Sequence, residues 1–374
     1  MVLYCGQRSF YYRFLITGLC VSLWIVLAIL SHFFILYKIL NRNRVRMIRA
    51  LITGSNGFIG SHLVERLLQQ GVEVRCMVRK TSRLHWLESL PVQYTCADLR
   101  DPESLNDAVK DVDFVFHLGG LTKARTRQAY FEANETGTRS LVQAVLKMNP
   151  SLKRFVYVSS QAAGGPSRGL TPRRESEDPC PVTWYGQSKL GGEQAVLESA
   201  DRIPVTVIRS PSVYGPRDTD VFEVFRAVRW HIKPILGFQK RYASFIYVKD
   251  LVSGLDLAAR HEKAAGEVFY LVSDPVVSWH EMNDRIAEVM HRRAVTIRIP
   301  VCIFGLIALY REFYSRISGK CSILNWQKMN EFRERFWICD GSKAQQLLDF
   351  RPEYELNRGI QETWEWYCQQ GWLK

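Results

Sequence analysis

The chain has 374 residues, 47% of them hydrophobic, and a formal charge of +13. Its length suits two domains rather than one small one, and its apolar content excludes a disordered chain. The charge does not point to nucleic acid: basic residues flank an apolar N-terminal segment, residues 1–50 hold no Asp or Glu, and no basic–aromatic nucleic-acid motif is present.

Phe14 to Tyr37 is 24 residues without a formal charge, long enough to cross a bilayer as a helix. It exceeds a signal-peptide core, and no small-x-small cleavage site comes after it. Lys38, Arg42, Arg44 and Arg46 trail it, against Arg8 and Arg13 ahead, so the positive-inside rule places the C-terminal domain in the cytoplasm. Residues 1–46 are therefore expected to be a single-pass membrane anchor. The alternative is a cytoplasmic protein whose true start is Met47. The nine cysteines are scattered, with no C-x-x-C pair and no metal-ligand cluster. They read as reduced thiols, most of them small buried hydrophobes.

Met47 to Gly71 predicts strand, tight turn and helix. Ala50-Leu51-Ile52 is a short apolar run; Leu63, Val64, Leu67 and Leu68 recur at helical spacing; Gly71 is the stop. Between them Gly54, Gly57 and Gly60 are spaced G-x-x-G-x-x-G. Gly54 allows the turn, Gly57 lets the backbone approach a pyrophosphate, and Gly60 lets helix and strand close. The N–H groups of Phe58, Ile59 and Gly60 at the helix start then face the anion. A glycine-rich turn without a ligand has the same spacing, but the strand before and the helix after are the context of a dinucleotide site.

Val72 to Val78 reads as a second strand. The residue after it meets the adenosine ribose, and Arg79 there, followed by Lys80, points to NADP before NAD. Val92 to Thr95 is a third strand, ending near Asp98-Leu99. A helix opens at Asp101-Pro102-Glu103, with Pro in its first turn. Asp113 to Leu118 is a fourth strand ending in Gly119-Gly120, with His117 as a packed residue. A helix runs from Asn134 to Met148, and Phe155 to Ser159 is the fifth strand. The alternation predicts an α/β fold with a doubly wound parallel sheet, its ligand at the carboxyl ends of the strands.

Ser159 and Ser160 close the fifth strand, and Tyr185-Gly186-Gln187-Ser188-Lys189 comes after a Gly/Pro/Arg-rich loop. On a helix, Tyr185 and Lys189 share a face. A free phenol titrates near 10, too high for an efficient base at neutral pH; a neighbouring ammonium favours the phenolate. Ser160 can hydrogen-bond a substrate oxygen. In the loop, Arg168, Arg173 and Arg174 could grip an anionic substrate such as a nucleotide diphosphate, or form a solvated basic surface. Val205 to Ile208 is a sixth strand. Ile299 to Tyr310 is apolar but too short to span a membrane. Trp364, Trp366, Tyr367 and Trp372 read as core packing.

TGSNGFIG, VFHLGG, ANETGT, FVYVSS, YGQSK, RSPSVYGP and FIYVKDL together resemble the extended short-chain dehydrogenase/reductase family, from Met47 to Lys374. The resemblance implies a Rossmann domain over 47–208 and a smaller α/β substrate domain over 209–374, interleaved with the Rossmann core. It makes Tyr185 the acid/base, Lys189 its tuner and a holder of the nicotinamide ribose, and Ser160 the positioner. Asp98 and Leu99 would flank the adenine, Gly119 and Gly120 touch the cofactor, Asn134 fix that side of the fold, and Pro211 lie by the nicotinamide amide. Glycines in place of the commoner alanines after His117 are expected to loosen that wall. The implied activity is an NAD(P)-dependent oxidoreductase acting on a secondary alcohol or ketone, nearest the 3β-hydroxysteroid dehydrogenase and dihydroflavonol reductase branch, with a sterol- or isoprenoid-like substrate. The alternatives are a nucleotide-sugar epimerase or dehydratase and a non-enzymatic NAD(P)-sensing binder. The partners implied are a small-molecule substrate, the membrane and a second copy in a homodimer.

Overall fold

Ala50, Leu51 and Ile52 are fully buried, and the strand they form, β1 (Arg49–Thr53), is an interior strand of a parallel sheet. The computed structural model describes residues 47–301, 303 and 326–373. Contacts divide the chain after Met47. The expected membrane span, Phe14–Tyr37, and most of the apolar run to Tyr310 lie outside the described residues. Among the described residues no helix is long and apolar enough to cross a membrane.

From β1 the chain turns into α1 (Phe58–Gln69) and continues through β2 (Glu73–Val78), β3 (Gln93–Cys96), α2 (Pro102–Ala108) and β4 (Phe114–His117). Then come α3 (Arg127–Phe131), a π-helical turn (Glu132–Thr136), α4 (Gly137–Met148), β5 (Arg154–Ser160), α5 (Gln161–Gly164), α6 (Trp184–Leu197) and β6 (Val205–Ser210). The expected helix from Asn134 thus starts earlier, at Arg127, and bulges where Asn134 sits. Gly71 ends α1 as expected, at φ +71°.

The seven-stranded sheet runs β10-β6-β5-β4-β1-β2-β3, where β10 (Glu267–Tyr270) returns to it from the second half of the chain. Its neighbours are all parallel. Ala50 and Ile52 of β1 join one core, Leu51 the other, because successive side chains take opposite faces. Both faces are covered, as a parallel sheet requires. The strand order reverses between β1 and β4, and that reversal opens a crevice at their carboxyl ends.

Between β6 and β10 lie β7 (Ser212–Tyr214), α7 (Phe222–Arg229), β8 (Ile232–Leu236), β9 (Tyr242–Tyr247) and α8 (Val248–Arg260). After β10 come β11 (Ser273–Ser278), α9 (Trp279–Val289), β12 (Val295–Ile299), α10 (Trp326–Arg333), β13 (Phe336–Trp337), α11 (Ser342–Leu348) and α12 (Leu356–Gln369). Strands β7, β9, β11 and β13 make a second sheet; β8 and β12 pair separately. The C-terminal aromatics pack as expected: Tyr367 is fully buried, with Trp364, Trp366 and Trp372 around it. The cysteines correct the sequence reading. All five described ones are free, but only Cys76 and Cys339 are buried, while Cys96, Cys180 and Cys368 are exposed.

Candidate active site

The crevice floor is the turn between β1 and α1. Gly54 takes φ +68°, a conformation that costs a residue with a Cβ. A Cβ at Gly60 would collide with the Gly54 carbonyl, so helix and strand meet backbone to backbone. Gly57 is the N-cap in extended conformation, and no side chain caps the helix. A Cβ there would have one neighbour within 4 Å, the Gly54 carbonyl at 3.3 Å, so the turn stays open on its other side. The uncapped N–H groups of Phe58, Ile59 and Gly60, at the positive end of the helix dipole, fit a pyrophosphate. The Phe58 and Ile59 side chains pack against the core of the second half of the chain, around Tyr214 and Tyr247.

The wall beyond it is a one-way chain of hydrogen bonds. The Gly119 N–H donates to Thr53 Oγ1 at 2.9 Å, and Thr53 Oγ1 lies 2.6 Å from His117 Nδ1. On the far side His117 Nε2 lies 2.9 Å from Thr138 Oγ1, which donates to the Asn134 carbonyl at 2.7 Å. Thr138 spends its proton on that carbonyl, so it accepts from Nε2–H, and Nδ1 accepts from the Thr53 hydroxyl. Burial pushes the His117 pKa down to about 3, so the ring is neutral. It is a packed strand residue, as expected.

Asn134 is a clamp. Its Nδ2 donates to the Leu121 carbonyl and to Ser188 Oγ, both at 2.9 Å, and its Oδ1 accepts from the Leu121 N–H at 2.7 Å. It joins the loop after β4 to α6. Gly119 and Gly120 do not loosen this wall. A Cβ at Gly119 would stand 2.9 Å from Thr53 Oγ1 and one at Gly120 2.6 Å from Asn134 Oδ1, so polar side chains fill the space.

Helix α6 starts at N-cap Thr183, whose Oγ1 accepts from the Gly186 N–H at 3.1 Å. Tyr185 is in its first turn, half-buried, with its ring centroid 6.2 Å from that of Tyr130. Lys189 comes one helical turn later and is 6% exposed. Its Nζ donates to the Val158 carbonyl of β5 at 2.7 Å and sits 4.2 Å over the Tyr157 ring. Burial pushes its pKa down to about 7, with the Glu193 carboxylate pulling the other way. Ser160 ends β5 and caps α5, its Oγ accepting from the Ala162 N–H at 3.2 Å. A Cβ at Gly186 would strike the Ala162 carbonyl, so α6 lies directly on α5. The three expected catalytic residues therefore come from two elements in backbone contact.

Arg79 comes directly after β2 and is exposed; its N–H donates to Ser82 Oγ at 3.0 Å. Asp98 lies just past β3 and its carboxylate is held by the Arg100 guanidinium, at 2.8 and 3.1 Å, which lowers its pKa to about 2. Leu99 packs toward Gly119 and Gly137. Pro211 is buried just after β6, its carbonyl accepting from Ser210 Oγ.

The loop arginines are largely committed to protein. Arg173 is buried, and its guanidinium donates to the Pro166 and Asp178 carbonyls. Arg174 pairs with Asp340 at 3.0 Å. Arg173 also bridges to Cys339 in sheet fashion, which stitches the loop to the segment after β13. Arg168 is exposed.

Sequence reasoning missed the group behind Lys189. Glu193, 1% exposed, accepts from Ser159 Oγ at 2.6 Å and takes a two-pronged ion pair from Arg209 of β6, with Nη2 at 2.8 Å and Nε at 3.0 Å. It ties α6 to the ends of β5 and β6. The available signal was an acid four residues after the lysine, on the same helical face.

The crevice, the glycine turn and the Ser–Tyr–Lys set define an enzyme of the extended short-chain dehydrogenase/reductase type. Comparison with known proteins agrees. The family described as "NAD dependent epimerase/dehydratase family" matches residues 50–271, and the chain belongs to it. It is 29% identical over 323 residues to the ceramide reductase of Caulobacter vibrioides, covering 86% of this chain and 95% of that protein. It is 23% identical to the sterol-4-alpha-carboxylate 3-dehydrogenase, decarboxylating, of Mus musculus, covering 84% and 90%. Among solved structures, MoeE5 in complex with UDP-glucuronic acid and NAD superposes with a TM-score of 0.69 at 26% identity, covering 86% of this chain and 99% of that one.

Proposed function

We propose that the protein is a dehydrogenase or reductase that moves a hydride between a nicotinamide cofactor and a hydrophobic secondary alcohol or ketone. The observation that carries this reading is the placement of Tyr185 and Lys189 one turn apart on a helix packed against the Ser160 strand end, at the mouth of a glycine-floored crevice. A bound nicotinamide dinucleotide would supply the hydride acceptor or donor. Gly54, Gly57 and the Phe58–Gly60 N–H groups would hold its pyrophosphate. Tyr185 holds or releases the proton at the substrate oxygen, Ser160 donates a hydrogen bond to that oxygen, and Lys189 governs the charge beside the phenol. Exposed Arg79 favours a 2′-phosphate, hence NADP before NAD. Phe14–Tyr37 would anchor the enzyme with this domain in the cytoplasm.

The relatives named ceramide reductase and sterol-4-alpha-carboxylate 3-dehydrogenase, decarboxylating, support a hydrophobic substrate. A nucleotide-sugar epimerase on this scaffold would need cations for a diphosphate, and Arg173 and Arg174 are tied to carbonyls and to Asp340, which leaves Arg168 alone of the three loop arginines. The test is Tyr185→Phe, assayed by NADPH oxidation against a panel of long-chain and sterol-type ketones. Turnover should fall by at least about 10²-fold, while NADPH affinity, read by fluorescence titration, stays the same. Unchanged turnover would remove the proposed mechanism.

A further inference from the structure

Strands β8 and β12 form a two-stranded parallel ribbon outside both larger sheets. The register pairs Val295 with Ile232, Ile297 with Pro234 and Ile299 with Leu236. Register partners on parallel strands share a face, and alternation repeats every second residue, so these six share one face. All six are apolar. The other face carries Lys233, Ile235, Thr296 and Arg298. Lys233 pairs with Asp284 of α9 at 2.6 Å and Ile235 is buried, so β8 is seated on protein by that face, while Thr296 and Arg298 of β12 are exposed. On the apolar face Val295 is 70% exposed. The ribbon is flanked by Trp230, 72% exposed just before β8, and Phe238, 69% exposed just after it.

Scattered apolar side chains on a surface are ordinary; a contiguous face of them marks a contact. Apart from Asp284, which is paired with Lys233, the charge carried by the ribbon's own stretches of chain is basic. The sequence has no Asp or Glu between Glu223 and Asp250, nor between Glu288 and Glu312, while Arg229, Lys240, Arg292 and Arg293 fall within those stretches. Apolar tips, an indole and a cationic surround match the boundary between acyl chains and anionic headgroups. Nucleic acid would satisfy the cations and leave Val295 and Ile297, the two exposed members of the apolar face, in water. We propose that the β8–β12 ribbon docks on an anionic lipid bilayer, as a contact in the second half of the chain separate from the N-terminal segment.

The full chain, labelled with 5-fluorotryptophan and placed in nanodiscs of phosphatidylcholine and phosphatidylglycerol, reports on this by ¹⁹F NMR. Trp230→Phe assigns the Trp230 resonance. A spin-labelled lipid should broaden that resonance and a water-soluble gadolinium chelate should not. In the Val295→Asp/Ile297→Asp variant the two responses should reverse. Broadening by the chelate in the unmodified protein would overturn the proposal. So would a resonance that neither probe reaches, since protein would then cover the face, either residues 304–325 or a second copy. The readout does not use turnover, so its failure is distinct from failure of the enzymatic reading.

Discussion

Replacing Lys189 with Met separates the stability of the site from its chemistry. The two side chains have similar volume, so packing is nearly conserved. A lysine whose pKa falls from 10.5 unfolded to about 7 folded lowers stability by roughly 5 kcal/mol while both states are protonated. The unfolded chain binds more protons between those values, so stability of the unmodified protein rises with pH from about 7 to about 10.5. The variant lacks that rise. It also loses the donor to the Val158 carbonyl, a loss of about 1–3 kcal/mol at every pH. At pH 6 the variant should therefore be more stable by roughly 2–4 kcal/mol, and at pH 10 the difference should vanish or change sign. Urea unfolding followed by tryptophan fluorescence at several pH values measures both proteins. Activity at neutral pH should fall by about 10² to 10⁴-fold although the protein is firmer. A stability difference that stays constant from pH 6 to pH 10 would refute the argument, because it would mean that the buried amine does not change its protonation on unfolding.

Glu193→Gln leaves the Arg209 guanidinium buried without its counter-charge and should cost about 3–5 kcal/mol of stability. Adding Arg209→Met should recover most of that loss in thermal melts; no recovery would show that the carboxylate acts mainly through Ser159. Arg79→Asp should move the ratio of kcat/KM for NADPH over NADH toward NADH by at least about tenfold, the value of one charge-assisted contact; an unmoved ratio would place the 2′-position elsewhere.

What could be read from the sequence was local. The strand, the three glycines and the helix of β1–α1 are consecutive, and their spacing alone dictates their geometry. The Tyr185–Lys189 pair is legible for the same reason. Glu193 was not, because its meaning depends on Arg209 of a strand 16 residues further on lying beside the same helix. Arg173 was open to misreading because its charge satisfies backbone carbonyls of its own loop, which leaves no trace in composition. The ribbon joins Ile232 to Val295 across more than sixty residues of sequence, and neither strand alone discloses that the partners align six apolar side chains on one side.

Helix α6 explains why periodicity is a poor guide at this site. Its buried residues include Gly186, Ser188, Lys189, Gly191, Gly192 and Glu193, so it is not held by an apolar stripe. A Cβ at Gly192 would collide with the Tyr157 hydroxyl and lie 2.5 Å from the Asn134 carbonyl, just as one at Gly186 would strike α5. Helices packed through leucines can tolerate small shifts by choosing other rotamers; backbone packed on backbone has no rotamer to change. The tyrosine and the lysine are thus fixed by contacts that cannot relax, and the Asn134–Ser188 and Glu193–Arg209 bonds set the helix against rotation about its axis. Proton transfer loses efficiency with displacements well under an ångström. A helix low in apolar contrast and rich in glycine meets the requirement that the proposed mechanism sets, at the cost of the amphipathic signal by which helices are usually found.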